Sequence, residues 1–372
     1  MTDATLSCEV NVPTEKQRLL YALSGASLDR PPVICPGGPM GAAVTEVLEA
    51  AGLDFEAVHR DGTCLARAAI AIARVTGFEN VGLPLCATVE AEAMGSSVAP
   101  ADARTEPRIA RERYRTIEEV GTIDVEAGLD AARVPALLEA VAVASEEAGD
   151  LPVLVNLLGP VTLAASIVEP TELLRAMVAE PARVHALLDQ LDVFVATLAG
   201  RAAVLGADVV VLHEDVGDPR SVGRRAFEAF TIRHLAAVVA ALRGQLSPVA
   251  TSGHEPFCVC PACRVPSALD GLRRRAPVVV HCCELTQPAW PCLAAVGATA
   301  WSVGAATSVE ALREAQPELV LLGNVSTFTL DRGTPEQVRQ HALRALASGV
   351  DALAPACGLA MSTPLAAIRA MT

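Results

Sequence analysis

Eight short runs of apolar, largely β-branched residues, each followed by a stretch with helical spacing, constrain this chain more than any other feature of it. Val33, Val81, Val153, Val209, Val279, Trp301, Val320 and Leu353 mark the runs. Continuous apolar runs of this kind are strands covered on both faces, the signature of a parallel sheet under helices. Eight strand–helix alternations therefore predict an α/β chain folded as a (β/α)8 TIM barrel. The composition agrees, with 52% hydrophobic residues, only 3% aromatic, and Ala, Val and Leu dominant. A length of 372 residues suits one large barrel or two ordinary domains. No Ser/Gly-rich linker or low-complexity break divides the chain, so a single domain over 1–372 is expected.

In a barrel the loops that leave the C-terminal strand ends form the active face, so the residues at those ends matter most. Val278-Val279-Val280-His281-Cys282-Cys283-Glu284 is a strand that ends in metal-ligand side chains. Side chains alternate along a strand, which turns His281 and Cys283 one way and Cys282 the other. The strand Asp351–Pro355 is followed by Cys357 where a loop begins. One imidazole and two thiolates suit Zn²⁺ and leave a position open for a substrate, provided the fold unites them. Asn156, His213, Glu214, Asp215 and Asn324 also fall at predicted strand ends. Glu90 and Glu92 have the spacing of one strand face, and solvated loop acids would look the same. Residues 100–125 are charged and irregular, a surface excursion. The helical spacing places His185, His234 and His341 towards solvent, and makes Cys35, Cys64, Cys86, Cys282 and Cys292 small buried hydrophobes rather than ligands.

The formal charge of −14, from 29 basic and 43 acidic residues, is spread along the chain. It argues against nucleic acid or an anionic membrane as a partner. No apolar run approaches the roughly 20 residues that span a bilayer, and Met1–Glu15 shows no signal-peptide pattern, so the cytoplasm is the expected location. Eleven cysteines in a chain of this length point to metal rather than to a disulfide scaffold.

Six stretches carry a family resemblance: Ile34-Cys35-Pro36-Gly37-Gly38, Gly77-Phe78-Glu79-Asn80-Val81-Gly82, Val89-Glu90-Ala91-Glu92-Ala93-Met94-Gly95, Gly159-Pro160-Val161-Thr162-Leu163-Ala164, Gly323-Asn324-Val325 and Ala354-Pro355-Ala356-Cys357-Gly358-Leu359. Together they resemble the uroporphyrinogen decarboxylase superfamily, and within it the corrinoid-dependent branch that includes methylcobamide:coenzyme M methyltransferases. The resemblance implies a (β/α)8 barrel, a zinc ion that binds a thiol, and methyl exchange with a separate corrinoid protein, for which this sequence holds no further domain. Decarboxylases of the family carry an arginine-rich motif after the first strand. Here that place reads Cys35-Pro36-Gly37-Gly38-Pro39, so porphyrinogen decarboxylation is not expected.

Two departures stand out. The resemblance implies a further acidic zinc ligand twenty-three positions beyond the histidine, where this chain has Gly304. That leaves the fourth position to water, substrate or another residue. Glu284 is near, but strand alternation turns it away unless the strand has already ended. The second departure is an insertion over 244–275, before the fifth predicted strand, with His254, Cys258, Cys260 and Cys263 in an HxxxCxCxxC pattern. These suit a second, structural metal or an iron–sulfur cluster, or are free thiols. A helix-to-strand loop lies on the stability face of a barrel, unless Pro248–Thr251 is itself a strand.

The expected activity is zinc-dependent transfer of a methyl group from a methylated corrinoid protein to a small thiol, coenzyme M-like or homocysteine-like. Zn²⁺ is held by His281, Cys283 and Cys357. Glu90, Glu214, Asp215 and Asn324 are candidates for orienting the acceptor or the corrinoid edge, and each is equally a structural hydrogen-bonding residue. Two alternatives remain: a corrinoid methyltransferase with a different methyl donor or a folate acceptor, and a metal-stapled binding protein without catalysis, which Gly304 motivates.

Overall fold

The computed structural model describes residues 12–36, 44–102, 105–245 and 276–372. The strands are, in chain order, β1 (Val81–Leu83), β2 (Ser97–Ala99), β3 (Arg108–Arg111), β4 (Val153–Leu158), β5 (Val209–His213), β6 (Val278–Cys282), β7 (Ala300–Val303), β8 (Leu321–Val325) and β9 (Ala352–Pro355). Seven of them form one parallel sheet in the order β1-β4-β5-β6-β7-β8-β9, and β2 and β3 form a separate antiparallel pair. Helices precede and follow the sheet strands, so the fold is a curled α/β half-barrel of the TIM type.

Period-two alternation separates two cores. Leu154, Val209, Val211, Val279, Ala300, Leu322, Ala352 and Ala354 pack together inside the curl with Leu19 and Leu23 of helix Glu15–Leu23. The intervening residues, among them Val153, Val155, Val210, Leu212, Val278, Val280 and Cys282, join the larger core under the helices. The inward row of each strand is apolar at its N-terminal end and polar at its C-terminal end. Asn156 continues the row of Leu154, His213 that of Val209 and Val211, and His281 that of Val279. A polar face is thereby placed at the C-terminal end of an apolar interior. Cys282 is fully buried on the opposite side, and Cys35 and Cys86 are buried too, whereas Cys64 and Cys292 are half-buried.

The strand expected at Val33 is a single bridge to Leu353 rather than a full strand. Ile34 N–H donates to Leu353 O (2.9 Å) and Leu353 N–H to Pro32 O (2.9 Å) on one side; Glu79 N–H donates to Val33 O (2.8 Å) on the other. Pro31 and Pro32 lack the N–H that a ladder needs. Further up, side chains replace the ladder towards β1. Asn80 Oδ1 accepts from Cys35 N–H (2.7 Å), Asn80 Nδ2 donates to Cys35 O (2.9 Å), and Glu79 Oε1 accepts from Val33 N–H (3.2 Å).

Other expectations are corrected. Glu90 and Glu92 lie on the short helix Val89–Ala93, not on a strand face. Residues 100–125 include β3 and the 3-10 turn Ile117–Glu119. β4 runs on to Leu158 and β8 to Val325, so Asn156 and Asn324 lie inside strands rather than after them. His234 is buried, not solvent-facing, and His185 and His341 are half-buried. A π-helical turn at Phe227–Ile232 precedes the helix Arg233–Gln245. The insertion from residue 246 to 275, with His254, Cys258, Cys260 and Cys263, lies outside the described residues, as do Gly37 and Gly38. Among the described residues no helix is long and apolar enough to cross a membrane.

Asn80→Ala removes both hydrogen bonds that the Asn80 side chain makes to the buried backbone of Cys35. It should lower the unfolding free energy by roughly 1–3 kcal/mol, read as a lower denaturant midpoint at unchanged slope. A midpoint equal to that of the wild type would show that Asn80 does not hold this edge.

Candidate metal centre

His281 at the end of β6, Cys283 just beyond it, Cys357 after β9 and Asp215 after β5 converge, with one donor atom from each lying within 4.8 Å of all the others. In a flat sheet β6 and β9, three places apart, would be separated by about 14 Å. Cys283 Sγ and Cys357 Sγ are 3.5 Å apart, so the curl alone makes the cluster. Cys283 Sγ also lies 3.5 Å from His281 Nε2 and 3.0 Å from Asp215 Oδ1, and His281 Nε2 is 3.7 Å from Asp215 Oδ1.

The donors fit a zinc ion. Bonds of about 2.0–2.3 Å in a tetrahedral zinc site place neighbouring donors roughly 3.3–3.8 Å apart. The S–S, S–N and N–O separations fall in that range, and the S–O pair is tighter, at hydrogen-bonding distance for a protonated thiol. Asp215 Oδ2 is buried without a hydrogen-bond partner. The charges of the cluster are strongly coupled. A hydrogen bond from Cys283 and the neighbouring His281 hold the Cys357 thiol down at about 4, against the effect of burial. The same hydrogen bond, with burial and Asp215, pushes the Cys283 thiol far up. Burial raises Asp215 to about 6. Burial alone would lower His281, but Cys357 and Asp215 raise it above its ordinary value. Three acidic groups share one buried place and cannot all ionise without a positive charge among them.

The surrounding bonds position these donors. β6 pairs with β7 so that His281 sits opposite Ser302, and His281 Nδ1 and Ser302 Oγ are 3.0 Å apart. That contact leaves Nε2 facing the cluster, the arrangement by which neighbours of metal-binding histidines fix the ring. Ser302 was not singled out from the sequence. Its signal was a lone hydroxyl inside the buried run Ala300–Val303, one strand beyond the HxC pair.

Glu214 is fully buried, and burial pushes it up to about 8. Its carboxyl accepts from Val161 N–H (2.9 Å), Thr162 N–H (3.0 Å) and Thr162 Oγ1 (2.9 Å) at the start of helix Pro160–Ile167. Thr162 Oγ1 in turn accepts from Asp215 N–H (2.9 Å) and Val216 N–H (3.1 Å), which fixes the turn that carries Asp215. Gly159 and Gly217 leave this carboxyl its space, since a Cβ at either would approach it to 2.5 and 2.7 Å.

The other candidates do not join the cluster. Glu90 is buried, raised by burial to about 7, and accepts from Leu158 N–H (2.8 Å). Asn324 Nδ2 donates to Gly304 O (3.1 Å) and Thr307 O (3.0 Å). Glu284 pairs with Arg220 (2.9 Å). His213 packs beside His281, with ring centroids 5.3 Å apart, and its Nε2 lies 3.2 Å from Asn156 Oδ1. A Cβ at Gly304 would fall 1.6 Å from the Cys283 carbonyl oxygen, so no side chain fits there. The carboxylate of the cluster is instead that of Asp215, on the turn after β5, two places from β7 in the sheet.

The uroporphyrinogen decarboxylase (URO-D) family model matches residues 14–372. The chain belongs to this family. Within it, the chain is 26% identical to a methylcobamide:CoM methyltransferase, MtaA, of Methanosarcina barkeri, over 96% of each protein. It is likewise 26% identical to a methylcobamide:CoM methyltransferase, MtbA, of Methanosarcina acetivorans, again over 96% of each. A solved structure described as a methyltransferase from Methanosarcina mazei superimposes with a TM-score of 0.81 at 26% identity, covering 96% of this chain and 97% of that one. As a URO-D family member the chain thus shares its fold, over 96% of its length, with a protein described as a methyltransferase.

Two outcomes are expected from this geometry. Ser302→Ala should weaken Zn²⁺ binding about 10–100-fold in competition with a chromophoric chelator, with the fold intact by circular dichroism. Wild-type affinity in that variant would leave Ser302 without a role in orienting His281. Because ligands must shed protons to bind metal, affinity should also fall as pH is lowered through the range where His281 and then Asp215, at about 6, take up protons. A profile flat from pH 8 to 5 would contradict the ligand set.

Proposed function

We propose that this URO-D family member moves a methyl group from a methylated corrinoid protein to a small thiol of the coenzyme M or homocysteine kind, with Zn²⁺ held by His281, Cys283 and Cys357. The observation that carries the proposal is the convergence of one imidazole, two thiols and one carboxylate from three strand ends. The names of the relatives support the substrates. The segment at Val33 is taken as the eighth stave of a closed (β/α)8 barrel, and the chain as a cytoplasmic protein.

Bound at these donors, Zn²⁺ would lower the pKa of an incoming thiol and keep it as a thiolate at neutral pH. The remaining steps belong to the chain. Ser302 holds His281 with Nε2 towards the site, and the Glu214–Thr162 pair holds the turn of Asp215. Asp215 would be a further donor to the ion, and its carboxyl, raised by burial to about 6, is suited to take the proton of the incoming thiol. The thiolate sulfur then attacks the methyl carbon of the methyl-Co(III) corrinoid, the C–S bond forms as the Co–C bond breaks, and both electrons of the latter stay on cobalt as Co(I). The polar face at the C-terminal strand ends is where the corrinoid protein would dock.

The presence of four protein donors also favours a second reading, a metal-stapled protein with no place for substrate. Mixing the zinc-loaded protein with methylcobalamin and a series of small thiols, and following the cobalt spectrum, separates the two. Methyl transfer is expected with at least one thiol, falling about a hundredfold or more in Cys357→Ala and His281→Ala. No transfer to coenzyme M, homocysteine or simpler thiols, together with a metal spectrum that thiols leave unchanged, would favour the stapled protein.

A further inference from the structure

Outside the sheet, between helix Pro181–Val204 and helix Arg233–Gln245, lies a second group of ligating side chains that methyl transfer does not use. His185, Asp189 and Asp192 are spaced by four and three residues and share one face of their helix. Opposite them, His234 enters directly after the π-helical turn Phe227–Ile232, and its ring is 1% exposed. We propose that Asp189, Asp192 and His234 Nδ1 hold a second divalent cation here, with His185 fixing the His234 ring.

The three side chains converge. His234 Nδ1 lies 2.7 Å from Asp192 Oδ2, a hydrogen bond that a bound ion would replace, and 3.8 Å from Asp189 Oδ1. One ligand atom from each of the three residues lies within 4.8 Å of the other two. Two carboxylates thus converge on a single ring nitrogen, and among the described residues neither forms an ion pair with Lys or Arg. Like charges are gathered there, with Arg233 near enough to act on Asp192 but not ion-paired to it. The other oxygen of Asp192, Oδ1, is buried with no hydrogen-bond partner, in a residue only 8% exposed.

The second histidine completes the arrangement. His185 Nδ1 and His234 Nε2 are 2.9 Å apart, and the His185 ring stacks on Phe230, with centroids 4.5 Å apart and planes at 17°. At that distance either nitrogen can donate a hydrogen bond to the other. When His234 Nε2 donates it, Nδ1 presents a lone pair towards both carboxylates, an arrangement that is stable with a cation between them. A metal-binding histidine whose second nitrogen donates to a fixed acceptor is the usual pattern. A donor set of one imidazole and two carboxylates, with no thiol, suits a borderline divalent ion such as Zn²⁺ rather than a soft one. The Asp189 side chain is 62% exposed and opens the group to solvent. A bound ion would clamp the two helices together.

The test counts Zn²⁺ in the intact protein, with Zn²⁺ alone and no corrinoid or thiol present. By calorimetry and metal analysis, Asp189→Ala should weaken one equivalent about tenfold or more and leave the methyl-transfer rate of the parent. Cys283→Ser/Cys357→Ser should keep that same equivalent while losing another. Because Asp189 is exposed, its removal leaves the fold intact even if His234→Gln does not fold. Zinc stoichiometry and affinities unchanged by Asp189→Ala would overturn the proposal, whatever the cysteine variant does to the centre at the strand ends.

Discussion

The curl of the parallel sheet is the constraint on which everything else depends. β6 and β9 are not neighbours, and their sulfurs meet only because the intervening β7 and β8 bend the sheet round. What holds the curl is partly ordinary ladder pairing and partly the improvised edge at Val33. There, two prolines forbid a full ladder, and the side chains of Glu79 and Asn80 supply the missing donors and acceptors. Helix Glu15–Leu23 adds Leu19 and Leu23 to the apolar interior. The donor cluster at one end of the sheet is therefore linked to packing deep inside it.

Inside the curl, the alternation of side chains does a second job. The same inward rows that bury Leu154, Val211 and Val279 carry Asn156, His213 and His281 one step further along each strand. Polar groups so buried are costly unless they are paired. Most are paired, through Ser302 on His281 and Thr162 on Glu214. Asn156 Nδ2, His213 Nδ1 and Asp215 Oδ2 have no partner. These unpaired atoms lie in and beside the donor cluster, where a charged occupant would be felt most.

The relation between Gly304 and Asp215 shows how the fold decides from which strand end a carboxylate can reach the cluster. The space at position 304 is filled by the Cys283 carbonyl, so β6 and the turn after β7 approach too closely for any side chain. A carboxylate nonetheless reaches the cluster, from the turn after β5. That turn is shaped by a carboxyl–hydroxyl pair, Glu214 with Thr162, which belongs to two different strand–helix connections. Glu214 thereby acts on the site through Asp215 rather than by facing it.

Much of this was legible in the sequence. Strand and helix alternation determines an α/β parallel sheet, because each short β-branched run can be buried on both faces only under helices. The HxC spacing determines that His281 and Cys283 face the same way, because strand side chains alternate. The partnership of Asp215 and Ser302 with those residues, the helical setting of Glu90, and the burial of His234 were decided only by tertiary structure. Each depends on which strands become neighbours and on how far their ends extend. Such distances are set by the curl of the sheet and the packing of helices around it, and no local run of residues contains them.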